Sequence, residues 1–231
     1  MKIILLTTET THHCYFIKKI KKYVKNLYIF VETKKIKAPF KNFHSLDKKM
    51  IRFEKKKWFK RKKFRIKDNF HFYKFKNFND NKAIKEIKKI KPNYIFSFGS
   101  SPLKKYFIKN FKNIIYNFHG GDSSKYRGLD SHLWSIYHGD VNSLSVVLHR
   151  LRLKLDTGEI VFKKNIPFSK IKNLYEIRLL NTNICISLFK KFLRTRRPAL
   201  KKQKVMGRYY SYMPNVLKTE VERKFYNLKK R

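Results

Sequence analysis

Acidic residues are scarce in this 231-residue chain: 15 Asp and Glu stand against 58 Lys and Arg, a formal charge of +43. Glycine (7) and proline (6) are few, and the only cysteines are Cys14 and Cys185. Two cysteines without metal-ligand spacing provide neither a disulfide framework nor a metal cluster. No apolar run approaches the roughly 18 residues that a membrane-spanning helix needs, so no span is expected. The opening MKIILLTTET is apolar only briefly and carries no small-residue cleavage site. It reads as a first strand, not a signal peptide, and the default location is the cytoplasm.

What is present suffices for a core. The chain is 42% hydrophobic, with 21 Phe and 14 Tyr, which argues against disorder although 32% of residues are charged. Its length suits one medium domain, with or without a small appendage. The charge invites a nucleic-acid reading. However, Lys, Asn, Ile, Phe and Tyr are abundant together, as AT-rich codons would make them. The excess lysines are scattered through helices and loops, and between Asn117 and Ile160 the charge is balanced. That segment sets Lys125, Arg127, Arg150, Arg152 and Lys154 against Asp122, Asp130, Asp140, Asp156 and Glu159. The basicity is therefore read as solvated surface, and no nucleic-acid partner is expected.

Periodicity predicts alternating strands and helices. Lys2–Thr7 reads as a buried strand, Thr8–His13 as a polar loop, Tyr15–Val24 as a helix and Tyr28–Val31 as a second strand. No element is placed between Lys34 and Asn79. Ile84, Ile87 and Ile90 form a helix stripe ending before Pro92, and Tyr94–Phe98 reads as a strand. Gly99 turns the chain, Ser100 or Ser101 offers a cap, and Pro102 suits a first helical position. Ile114–Phe118 and Leu144–Leu148 read as strands, Leu129–His138 as a helix closed by Gly139, and Thr182–Leu193 as another helix. The order implies an α/β fold, an open Rossmann-like sheet of mostly parallel strands flanked by helices, with a short C-terminal extension.

Five of the seven glycines (Gly120, Gly121, Gly128, Gly139, Gly158) fall between Asn117 and Ile160, where the backbone must turn sharply or approach a ligand. In open α/β sheets, ligands bind at the carboxyl ends of strands, where Asn117, His119, Gly120 and Gly121 are expected. Asn117 and His119, two apart in a strand, project to one face, with Phe118 turned into the core.

The same segment reads NFHGGDSSKYRGLDSHLWSIYHGD and then SLSVVLHRLRLKLDTGEIV. Asn-x-His at a strand end, Tyr-Arg-Gly, a Trp-bearing helix ending in Gly, and a later His before Leu-Asp-Thr-Gly resemble the folate-dependent formyltransferases. The resemblance is strongest over residues 93–166. It favours the short sugar N-formyltransferases of bacterial surface polysaccharides, because the TTETTHH loop and the GRYYSYMPNVLK tail look similar to theirs. It implies a catalytic domain over 1–166, with residues 167–231 completing it as a C-terminal helix and tail. The family's catalytic Asn, His and Asp fall on Asn117, His119 and Asp156, while His149 matches a motif histidine read as structural.

The resemblance further implies 10-formyltetrahydrofolate as formyl donor and no metal. Its pterin would lie between Phe98, Gly99 and Ser100 on one side and Lys154 and Leu155 on the other, near Gly120 and Gly121. A nucleotide-linked amino sugar would meet Thr8, Glu9, Thr10, His12 and His13, with Tyr209 or Tyr210 stacking on its base. The roughly 65 residues after the core are too few for the tRNA-binding domain of methionyl-tRNA formyltransferase. The glycine-bearing phosphate loop of glycinamide ribonucleotide formyltransferase is missing from Thr7–His13. A formyltetrahydrofolate hydrolase would use the same three residues with water as nucleophile. One departure stands out: the family's proline-bearing loop after the motif His is here Gly120-Gly121-Asp122-Ser123-Ser124, which exchanges stiffness for flexibility. Exposed tail aromatics offer a surface for a homodimer.

Overall fold

The computed structural model describes residues 1–34, 36–60, 62, 64–68, 71–195 and 198–230. The elements run β1 (Lys2–Thr7), α1 (Thr11–Ile20), β2 (Asn26–Glu32), α2 (Ser45–Phe59), β3 (His71–Phe75), α3 (Asn81–Ile90) and β4 (Tyr94–Phe98). Then come α4 (Lys105–Phe111), β5 (Ile115–His119), β6 (Tyr126–Gly128), α5 (Ser131–Tyr137), β7 (Ser145–Arg150) and β8 (Ile160–Asn165). The chain closes with α6 (Ile177–Arg194), β9 (Arg208–Tyr210) and α7 (Asn215–Lys230). Seven strands form one sheet in the order β3-β2-β1-β4-β5-β7-β8. The five from β3 to β5 are parallel, while β7 is antiparallel to both β5 and β8. This is the open, mostly parallel, Rossmann-like sheet that the alternation of strands and helices implied.

Alternation in β1 shows how the sheet divides the interior. Ile3 and Leu5 enter one core with Phe16, Phe96, Phe118 and Phe189; Ile4 and Leu6 enter the other with Ile84, Ile87 and Phe107. Both faces are covered, so a parallel strand such as KIILLT needs no polar alternation.

Several expected boundaries move. α1 begins at Thr11, inside the segment read as loop, because an extended Thr10 takes the cap position and its carbonyl already accepts the Cys14 N–H at 2.9 Å. Neither Ser100 nor Ser101 caps a helix and Pro102 does not open one: α4 starts at Lys105, with Lys104 at the cap. Ser100 Oγ instead lies 2.7 Å from Ser97 Oγ. The unassigned stretch holds α2 and β3, and the tail adds β9, which pairs in parallel with β6. No helix among the described residues is long and apolar enough to cross a membrane.

Candidate active site

β5 delivers Asn117 and His119 to the carboxyl end of the sheet, with the intervening Phe118 buried in the core. Antiparallel pairing with β7 sets Asn117 opposite His149. Asp156 comes from the connection between β7 and β8, in a left-handed conformation with φ 56°. Two residues on, a Cβ at Gly158 would fall 1.7 Å from the Arg150 carbonyl oxygen, so only glycine lets this turn fold back on β7. Arg127 fastens the turn from outside, donating through Nη1 to the Leu155 carbonyl (3.0 Å) and through Nε to the Gly207 carbonyl (2.5 Å).

These constraints bring the three candidate residues together. Asp156 Oδ2 lies 3.4 Å from His119 Nδ1 and accepts the Gly128 N–H at 2.8 Å. Asp156 Oδ1 accepts from Asn117 Nδ2 at 3.3 Å and lies 3.4 Å from His149 Nε2. His119 Nε2 faces the Tyr126 carbonyl at 2.8 Å, so each nitrogen of this ring meets an oxygen. His149 Nδ1 faces the Arg150 carbonyl at 2.7 Å, which turns Nε2 toward Asn117 Nδ2 at 3.3 Å. Burial works against a charge on Asp156, but the His119 and His149 rings and the Gly128 N–H outweigh it. They hold the carboxyl well below the usual carboxylate range. The site thus contains a desolvated carboxylate, ionised at neutral pH, flanked by imidazole and amide groups.

Asn117, His119 and Asp156 open into a cleft of about 1010 Å³, at the top of the range for one small ligand. Among the expected folate contacts, Phe98, Gly99, Ser100, Gly120 and Leu155 line it. Gly121 and Lys154 do not; Gly121 sits under Ser131, where an added Cβ would approach that side chain to 2.6 Å. Gly99 has φ +81°, and a Cβ there would lie 2.2 Å from the His13 ring, so glycine lets His13 close over the turn. Among the expected acceptor contacts, Thr8, Glu9, Thr10, His12, His13 and Tyr209 line the cleft. Tyr210 does not; it packs beside Trp134 and Tyr126.

The Gly120–Ser124 loop is not left flexible. Asp122 accepts from the Ser124 backbone N–H and hydroxyl and pairs with Lys163 at 2.6 Å, and the Ser123 hydroxyl donates to Gln203 at 2.8 Å. Hydrogen bonds and an ion pair replace the restraint that prolines would give.

Sequence reasoning missed other cleft residues. Glu32, at the end of β2, accepts the Ser101 and Phe78 backbone N–H groups (2.7 and 3.4 Å) and so fixes the turn after β4. Arg178, from α6, reaches the cleft from a segment with no motif. A carboxylate at the end of the second strand was the only available signal for Glu32; nothing local marked Arg178.

The formyl transferase family model matches residues 1–178. The bifunctional polymyxin resistance protein ArnA of Wigglesworthia glossinidia brevipalpis is 34% identical over 105 residues, covering 44% of this chain and 16% of that protein. Two solved structures share the fold. WlaRD, a sugar 3N-formyltransferase crystallised with dTDP and 5-N-formyl-THF, is 17% identical over 91% of this chain and 69% of its own, with a TM-score of 0.60. Phosphoribosylglycinamide formyltransferase from Streptococcus pneumoniae is 11% identical over 84% of this chain and 97% of its own, with a TM-score of 0.59. A family match over residues 1–178, on this sheet and around these residues, makes the chain a member of the formyl transferase family.

Proposed function

We propose that the protein transfers a formyl group from 10-formyltetrahydrofolate to the amine of a nucleotide-linked amino sugar. The observation that carries this reading is the convergence of Asn117, His119 and a buried, ionised Asp156 on a cleft of about 1010 Å³ that expected folate contacts and expected acceptor contacts line together. Support for the acceptor class comes from the likeness to WlaRD, which was crystallised with dTDP and 5-N-formyl-THF.

The chemistry follows from the residue types. The acceptor amine attacks the formyl carbon, giving a tetrahedral intermediate with an oxyanion and a cationic nitrogen. Asn117 gives up one of its two long contacts, both 3.3 Å, and donates that N–H to the oxyanion. His119 stabilises the same oxygen or relays a proton; a neutral ring donates to only one of its two oxygen neighbours, so proton position follows which contact tightens. Asp156 balances the positive charge that develops on His119 and on the attacking nitrogen, and water beside it carries the ammonium proton to the departing N10 of the folate. Collapse of the intermediate releases tetrahydrofolate and the formamide. The pterin lies between the turn at Phe98–Ser100 and the backbone at Leu155.

The test incubates the purified protein with 10-formyltetrahydrofolate and a panel of nucleotide-linked amino sugars, with glycinamide ribonucleotide included. A mass gain of one carbonyl on a nucleotide sugar supports the reading. Formylation of glycinamide ribonucleotide alone moves the role to that acceptor, and folate consumption with no formylated amine makes the protein a hydrolase.

A further inference from the structure

Arg178 is built into the cleft in a way that the three catalytic candidates do not explain. Its Nε and Nη2 form a two-point fork with Glu54 of α2, at 2.6 and 3.0 Å. The Glu54 carboxylate is fully buried, whereas the Arg178 side chain is 26% exposed and lines the cleft. Nη1 has no hydrogen-bond partner among the described residues. Burying a carboxylate is costly, and an apolar pair would join α2 to α6 at least as well. The arrangement makes sense if it fixes a guanidinium for a ligand. A planar fork held on one edge presents the other in a set orientation, suited to an oxyanion.

The surroundings favour an anion. His12 and His13 lie beside Arg178 at the start of α1, and burial together with nearby positive charge keeps both rings toward the neutral form. The Thr10 hydroxyl, at the cap position, is drawn to the His12 and His13 rings at 3.1 and 2.9 Å and caps no backbone N–H. Among the described residues no side chain caps the first turn of α1, and no acidic residue stands in that turn. The nearby acids are occupied: Glu9 with Lys74, Glu32 with backbone N–H groups, and Asp130 with the Met213 N–H.

We infer that Arg178, oriented by Glu54, binds a phosphate or diphosphate ester on the acceptor and so selects phosphorylated amines; this rests on the proposed transfer to a nucleotide-linked amine. The folate's glutamate carboxylates are the other anions that could reach the cleft, and the test separates them. Binding of dTDP, UDP and pyrophosphate would be measured calorimetrically on the full chain, with 5-formyltetrahydrofolate in parallel. Arg178→Gln is expected to weaken diphosphate binding about 10- to 100-fold and to leave folate binding within about twofold, with Arg178→Lys in between. Should Arg178→Gln fail to fold, the double variant Glu54→Gln/Arg178→Gln, which strands no buried charge, gives the same comparison. Wild-type diphosphate affinity in these variants, or a loss that falls on folate instead, overturns the inference. So does a wild type that binds folate but no diphosphate, which leaves the folate reading standing. Diphosphate binding that depends on Arg178 without any folate binding upholds Arg178 and sinks the folate reading.

Discussion

Asn117 and His149 face each other across the β5–β7 pairing, and Asn117 Nδ2 lies 3.3 Å from His149 Nε2 and equally far from Asp156 Oδ1. The amide is thus aimed by two partners and held tightly by neither. If it exchanges one of these contacts for the oxyanion, its loss is felt in the transition state alone. Asn117→Ala is expected to cost about 3 kcal/mol, roughly a hundredfold or more in kcat, with KM little changed. Steady-state kinetics with saturating folate give the answer; a loss confined to acceptor KM contradicts the role.

Gly158 tests the turn that presents Asp156. A Cβ there meets the Arg150 carbonyl at 1.7 Å, and this carbonyl is the partner of His149 Nδ1 at 2.7 Å. Gly158→Ala should therefore displace the backbone and the histidine together, costing about 2–4 kcal/mol of stability. Thermal unfolding reports the stability and turnover reports the site; a variant unchanged in both would show that the turn adapts.

Acid stability depends on buried histidines. Burial lowers His13 from its ordinary 6.5 to about 3, assisted by the Arg178 charge, and lowers His132 to about 4 despite its bond to the Ser145 carbonyl. Between those values and 6.5 the unfolded chain binds protons that the folded chain does not. Their contribution is complete above pH 6.5 and is lost as the pH falls, at up to about 1.4 kcal/mol per histidine per pH unit. The melting temperature should drop steadily from pH 7 to 5, and less steeply in His132→Gln. Parallel slopes for the two proteins would remove His132 from this explanation.

Asp156 behaves differently because its folded value is depressed. Its contribution to stability is present above the ordinary carboxylate value of 3.8 and is lost only as the pH falls below it. Asp156→Asn should flatten the pH dependence of unfolding below about pH 4. A profile in that range as steep as the wild type's would contradict a carboxylate held ionised by the fold.

The parts of this molecule legible in the sequence are those fixed locally. KIILLT and YIFSF announce buried strands because both sides of a parallel strand are covered, and the isoleucine stripe of α3 follows from helical spacing. Asn117 and His119 were readable as a pair because period two sets them on one face, and Asp156 only through the family pattern around it. What stayed hidden depends on contacts distant in sequence. His149 reads as a structural histidine until β5–β7 pairing sets it against Asn117. Arg178 and Glu54 are separated by 124 positions and meet only when α2 and α6 pack. The helix α2 was obscured because lysines occupy most of its solvent face and dilute its apolar stripe of Leu46, Met50 and Phe59.

The most direct test of the central claim is the rate of formyl transfer by Asp156→Asn, with His119→Ala beside it. Single-turnover formylation of the acceptor found for the wild type would be followed with folate-binding affinity checked in parallel. The expected result is a loss of at least about a thousandfold in both variants with folate still bound, since each removes a member of a coupled group. Transfer at the wild-type rate in either variant would contradict the assignment of the chemistry to Asn117, His119 and Asp156.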